Sequence, residues 1–182
     1  MRKGFVHGVT SLVLAASMTV STSALAAITG YVSIKGQKQG QFKGESTITS
    51  RSKLWIDVLE FKSGVVVPTD PTTGSATGRR KHDPVCFTKV WGPASPQFFS
   101  SAVSNETLTE VSFEFVRADV GKEMVFQTIK LTNAQIVEDR QRLSPSTEVG
   151  VHGSEVLEDI CFDYQRIDIT NNDGHTQATD TW

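Results

Sequence analysis

Two cysteines, three separated histidines beyond the first 26 residues and a cluster of late carboxylates are the residues of this chain best suited to chemistry. His82, His152 and His175 stand far apart in polar or glycine-containing segments. None has the spacing of an H-E-x-x-H helix or a Cys/His finger, so no metal site is expected. There is no G-x-S-x-G elbow, no phosphate loop and no glycine fingerprint opening a helix. Glu155, Glu158, Asp159 and Asp163 partly alternate along a strand pattern, as on a solvated sheet face. No catalytic residue and no cofactor is expected, and the chain reads as a non-enzyme. A secreted enzyme is a third hypothesis. It predicts one or two residues whose mutation abolishes an activity while leaving assembly intact.

Cys86 and Cys161 offer a different chemistry. Each lies in a strand pattern and points away from apolar neighbours: Val85 and Phe87 for the first, Ile160 and Phe162 for the second. An even count in an exported chain permits a disulfide. Strand adjacency is not written in the sequence, so an intrachain bridge, a contact between subunits and two free thiols all stay open.

The elements that must position these groups are mostly strands. Ile28, Val32 and Ile34 alternate with Tyr31, Ser33 and Lys35, and the segment from Lys53 to Lys62 is β-rich around Trp55, Ile56, Val58, Leu59 and Phe61. Val111, Phe113 and Phe115 alternate with Glu110, Ser112 and Glu114, the pattern of a half-buried antiparallel strand. Asp119-Val120-Gly121-Lys122 suits a hairpin turn. Strands recurring every 8–12 residues or so with turn signals between them imply a mainly β fold, an antiparallel two-sheet barrel or sandwich. One short helix interrupts them. Ser95 is placed to cap it, Pro96 suits its first position and Asn105 its stop, with Phe98, Phe99, Ala102 and Val103 along one packing stripe.

The longest irregular stretch runs from Pro68 to Pro84. Pro68, Pro71 and Pro84 lack backbone donors, and Gly74 and Gly78 supply bends. Loops of this length are uncommon in compact domains, so it reads as a semi-rigid projecting arm. Its run Arg79-Arg80-Lys81-His82, flanked by Asp70 and Asp83, is suited to steering the arm onto an acidic surface.

The first residues read as a secretory signal. Met1-Arg2-Lys3 is basic, Val9 to Val20 is mostly apolar, and Ala24-Leu25-Ala26 has the small-residue pattern of a cleavage site. The apolar portion is short of the roughly 20 residues a membrane span needs. Removing residues 1–26 leaves one domain, 27–182, with a polar C-terminal tail expected over 171–182. The remaining 16 basic and 20 acidic residues give a formal charge near −4. That balance disfavours nucleic acid as a partner, and no membrane contact is expected once the signal is gone.

Several of these segments carry a resemblance. V-x-V-P-T-D-P-x-x-G-x-x-T-G-R from Val65, then H-x-P-V at His82 to Val85, resembles the haemolysin-coregulated protein (Hcp) family, the tube proteins of bacterial type VI secretion. Gly30 to Gly36 is similar to the family's opening strand. Thr88-Lys89-Val90 with Ala94-Ser95-Pro96 is similar to its strand-to-helix passage, and Glu158 to Ile167 to its late strand. The likeness spans residues 28 to 182. It implies a β-barrel subunit with a flanking helix, closing as a homohexameric ring, with rings stacking into a tube. Sheath, spike and small effector proteins would be the other partners. It implies that the arm packs ring on ring, a role carried over to Asp70, Thr72, Arg79 and His82. It does not require cysteine at positions 86 and 161. A cleavable signal departs from the family pattern, because tubes assemble in the cytoplasm. The alternative is therefore an exported, ring-forming binding or adhesive module working outside the tube, in the periplasm or extracellular space.

Overall fold

The computed structural model describes residues 28–46, 52–119, 122–145 and 154–181. The signal expected over 1–26, the turn residues Val120 and Gly121, His152 and Trp182 lie outside them. In chain order the strands are β1 (Ile28–Gly36), β2 (Gly40–Gln41), β3 (Ile56–Val58), β4 (Glu60–Lys62), β5 (Val65–Val66) and β6 (Lys81–His82). Then come β7 (Val85–Val90), the helix α1 (Ser95–Val103), β8 (Leu108–Asp119), β9 (Lys122–Pro145), β10 (Ser154–Asn171) and β11 (Thr176–Thr181).

Among the described residues every ladder is antiparallel, and the order β1-β8-β9-β10-β7-β4 runs across one nine-stranded sheet. The sheet then closes on itself. β3 pairs with β1 while β4, two residues further along, pairs with β7. A single kinked stretch, hinged at Leu59, thus joins the first edge to the last and makes a barrel. The expectation of an antiparallel mainly β fold with one flanking helix holds. Its form is one closed sheet, with β5 and β6 as a separate two-stranded ribbon. Among the described residues β2, β4 and β11 each pair on one side only, so closure shortens the exposed edge and does not abolish it.

The barrel is filled from alternate positions, as the period of two requires. Val32, Ile34, Val111, Phe113, Leu131, Ile160 and Phe162 are buried in its core. Phe87 stacks on Phe162 of the neighbouring strand β10 at 5.9 Å between centroids and meets Phe113 of the non-adjacent strand β8 edge-on at 5.7 Å, so aromatic rings link strands that share no ladder. The register shift at Phe115 and Val116 leaves one extra residue, Phe126, on β9, and Val116 is buried although it is out of phase with Phe113 and Phe115. Tyr31, expected on the polar side of β1, is also buried, with 1% exposed.

Four local expectations change. Lys53 and Leu54 lie in a 3₁₀ turn, Ser52–Leu54, so the strand starts only at Ile56. The Ser95 side chain does not cap its own helix; Ala94 is the cap residue. The Ser95 hydroxyl instead accepts the Gly92 N–H at 3.1 Å and donates to Glu158 at 2.7 Å. The packing stripe of α1 is Ser95, Phe98 and Ser101, spaced by three. Phe99 and Val103 face solvent, 59% and 65% exposed, while Ser101 takes the inward face, where its hydroxyl donates to Glu106 and accepts from Gln39. Asn105 does end the helix, in the left-handed conformation at φ 47°. Finally, of the polar tail expected over 171–182, residues 171–181 form a turn and a strand. The turn Asn172-Asp173-Gly174-His175 returns the chain as β11, which pairs with β10 from Arg166↔Thr181 to Asn171↔Thr176. Its threonines suit a strand, and composition alone hid that.

Glu158 is the largest departure. It is fully buried, and so is Lys89. Lys89 Nζ lies 3.5 Å from Glu158 and 3.1 Å from Glu45, and also donates to Val90 O and Ser95 Oγ. Gln141 Nε2 donates to the other Glu158 oxygen at 3.0 Å. Glu158 alternates with Asp159 and Cys161, which places it on the inward face with Ile160 and Phe162. Asp139 completes the group: burial first, then the neighbouring Glu158 charge, push its carboxyl up to about 6. An unfolded aspartate ionises near 3.8, so ionising Asp139 costs the folded state more than the unfolded one. Stability is therefore expected to fall as pH rises through about 6. Asp139→Asn should flatten that slope and raise stability at pH 8 by about 1 kcal/mol, the shift being reduced by solvent screening. Urea melts of both proteins from pH 4 to 8 check it.

Candidate functional site

The arm is a short ribbon with a seated base and an exposed tip. At the base, Val65 pairs with His82 and Val66 with Lys81. Further out, Thr77 N–H donates to Pro68 O at 2.9 Å, and Thr69 bridges Ala76. The segment expected to be irregular is thus largely a hairpin. Pro68 takes part in this pairing through its carbonyl alone, having no N–H to return to Thr77.

The tip is held by Asp70. Its Oδ1 accepts N–H groups from Thr72 at 2.6 Å and Thr73 at 3.1 Å, which keep the carboxyl below the usual carboxylate range. Gly74 N–H returns to Asp70 O, and Gly74 has φ +69°, a conformation a side chain would strain. Residues 71 to 80 are all exposed, Thr72 and Arg79 among them.

His82 sits elsewhere. Its ring lies against the barrel, with Nε2 2.8 Å from Asp180 Oδ2 on β11 and Nδ1 3.4 Å from the Tyr164 hydroxyl. With the proton on Nε2, the ring donates to Asp180 and accepts from Tyr164. Arg80 grips the same carboxylate in a bidentate pair and reaches Thr181 O at 3.3 Å. The Arg80 guanidinium, then the His82 ring and the Thr181 N–H, hold Asp180 far below the ordinary carboxylate range against the opposing effect of burial. Burial, then the charges of Asp163, Asp180 and Asp83, push the Tyr164 phenol up to about 12. Beneath this clamp lies a cavity of about 480 Å³, walled by Val65, Val67, Tyr164, Ile167, Ile169 and Ala178.

The four residues expected to act together are therefore divided. Asp70 and Thr72 shape the tip, Arg79 lies exposed on the arm, and His82 faces the barrel. Arg80 was expected only as part of a basic run steering the arm onto another surface, whereas it and His82 are engaged with Asp180 of the same chain. Tyr164 and Asp180 were not singled out from sequence. No local signal ties residue 80 to residue 180, since only the return of β11 brings them together. Asp180→Asn is expected to loosen the base of the arm. Cleavage between Val67 and Lys81 under limited proteolysis should quicken several-fold, with the circular dichroism of the barrel unchanged.

Cys86 and Cys161 are register partners on β7 and β10 and form a disulfide. Among the described residues, no group of three or more His, Cys, Asp or Glu is placed to hold a metal ion.

A closed antiparallel barrel with one flanking helix and a clamped ribbon arm defines a structural subunit whose distinctive surface is the arm. Residues 31–170 match the family described as "Type VI secretion system effector, Hcp", and the chain belongs to that family. It is 32% identical over 161 residues to the "Major exported protein" of Pseudomonas aeruginosa, covering 84% of this chain and 94% of that one. Among solved structures it is similar to Hcp1 of E. coli EAEC 042, with 29% identity and TM-score 0.69, covering 86% of this chain and 99% of that one. It is also similar to the secreted protein Hcp3 of Pseudomonas aeruginosa, with 28% identity and TM-score 0.67, covering 84% and 99%. A further Hcp crystal structure, at TM-score 0.77 and 24% identity over 86% of this chain and 98% of that one, shares the fold.

Proposed function

We propose that this chain is an exported structural subunit of a type VI secretion system that closes as a homohexameric ring and stacks into a tube, without enzymatic activity of its own. Family membership supplies the system. The observation that carries the assembly is the arm: its base is fastened to β10 and β11, while its tip is exposed and internally braced by Asp70. A ring or stack needs unlike patches that meet head to tail, and a rigid projection on a closed barrel supplies one of them. Asp70, Thr72 and Arg79 are the residues we assign to contact between rings, with His82 holding the arm in the posture that presents them. Sheath, spike and small effectors would be the remaining partners.

Size-exclusion chromatography with negative-stain imaging of residues 27–182 tests the reading. Six-fold rings are expected, and a strict monomer at high concentration would overturn it. Deleting Thr69 to Lys81 is expected to leave the barrel folded, keep single rings and abolish stacks. Loss of strand content in that variant would instead make the arm part of the core.

The disulfide favours a second reading, an exported ring-forming binding module working outside the tube, since such bridges persist in oxidising compartments. A mature terminus at Ala27 in periplasmic fractions of cells lacking a sheath would select it.

A further inference from the structure

The Cys86–Cys161 bridge lies on the outer face of the barrel, where both cysteines line a surface depression of about 230 Å³ with Glu60, Lys62, Thr88, Arg142 and Asp159. It joins directly opposed residues of two strands that already share a six-pair ladder, Leu157↔Val90 to Phe162↔Val85. The same site borders the seam of the barrel: Lys62, the last residue of β4, is the register partner of Cys86. Just beyond Cys161 the β10–β9 ladder shifts register. Opening the bridge therefore removes a covalent tie beside the seam, while ladder, core and closure all remain. The packed aromatic face, Phe87 and Phe162, lies on the other side of the sheet and is untouched.

We propose that Cys86–Cys161 is a thiol–disulfide exchange site, open in the folded protein to a small anionic thiol that enters the depression. The barrel passes between bridged and dithiol forms without unfolding. Cys86 is the more exposed of the two and takes the attack. The incoming thiolate bonds to Cys86 Sγ, the disulfide breaks, and its electron pair leaves on Cys161 Sγ, which takes up a proton. A second thiolate then attacks the external sulfur of the mixed disulfide. The Cys86 thiolate departs on the face that carries Lys62, whose ammonium pairs with Glu60 at 2.8 Å, and the two small thiols leave as their own disulfide. One bridge is reduced for each pair of thiols oxidised. The device registers compartment: dithiol in a reducing cytosol, bridged outside it. It is independent of ring formation, and a monomer would show it equally.

The test follows reduction of the purified oxidised protein by millimolar reduced glutathione without denaturant, trapping thiols with a maleimide that shifts gel mobility. Two thiols should appear per chain, at a rate proportional to glutathione and within about tenfold of the rate for the urea-unfolded protein. Far-ultraviolet circular dichroism should stay constant. A bridge reachable only by global unfolding would react at least about a thousandfold more slowly than in urea, and that result overturns the proposal. Lys62→Glu is expected to slow glutathione about two- to fivefold and leave neutral 2-mercaptoethanol unaffected. Equal rates with both thiols in that variant would overturn the depression as the entry path.

Discussion

Lys89→Met is expected to cost about 3–5 kcal/mol of folding stability, the usual consequence of stripping one partner from a buried ion pair. Lys89 is the cation at a point where the carboxylates of Glu45, Glu158 and Asp139 converge. Burial pushes Glu45 up and Lys89 opposes that shift, so losing the ammonium leaves the acids to protonate or to draw in water. The methionine side chain fills most of the vacated volume, so little of the loss comes from a cavity. Thermal melts should show a midpoint drop of roughly 10 °C or more at pH 7.5. The drop should shrink as pH falls towards 5, because protonated acids no longer need the cation. The double variant Lys89→Met with Glu158→Gln separates charge from packing. It should recover a substantial part of the loss, since an amide keeps the Ser95 contact without a buried charge. If Lys89→Met melts within about 1 kcal/mol of the parent, the cluster contributes little and its burial is incidental.

Much of the barrel was legible because its signals are local. Val111 and Phe113 against Glu110, Ser112 and Glu114 carry a period of two that burial on one face obliges. Pro96 and Asn105 bracket the helix through backbone rules that need no tertiary knowledge. What stayed hidden depends on pairings distant in sequence. The closure through β3 and β4 requires one short segment to serve both edges of the sheet. Glu158 sits in phase with Ile160 and Phe162, but a carboxylate in that phase looks like a register error until Lys89 and Ser95 are seen beside it. Phe99 was placed inside by its type, whereas α1 turns it out and sets Ser101 underneath. The site shows the same division. Proline spacing announced the arm, whereas its clamp depends on Asp180 returning on a strand whose threonines and glutamine looked like a tail.

Glu106→Ala is expected to cost about 2–4 kcal/mol, from donors left without an acceptor. Glu106 follows the end of α1, is almost fully buried, and gathers the turn between β1 and β2. One oxygen accepts the N–H groups of Lys38 at 2.6 Å and Gln39 at 2.8 Å. The other accepts Gln39 Nε2 at 3.0 Å and the Ser101 hydroxyl at 3.2 Å. Gly36 lets the carboxylate lie this close, since a Cβ there would stand 2.5 Å from Oε1. Burial alone would raise this carboxyl, but the Gln39 backbone and side chain, Lys38 and Ser101 outweigh it and leave the group below its ordinary value. A carboxylate lowered on folding stabilises above its unfolded value near 4.5 and loses that contribution as pH falls through its folded value. Acid unfolding of the parent should therefore be steeper than that of Glu106→Ala below pH 4.5, with the two curves converging. Glu106→Gln discriminates between charge and shape. Its carbonyl oxygen can accept two of these donors but its amide cannot accept the rest, so its loss should fall between parent and alanine. Equal melts for all three proteins would mean that water replaces the carboxylate at no cost, and the turn would then be held by the β1–β2 ladder alone.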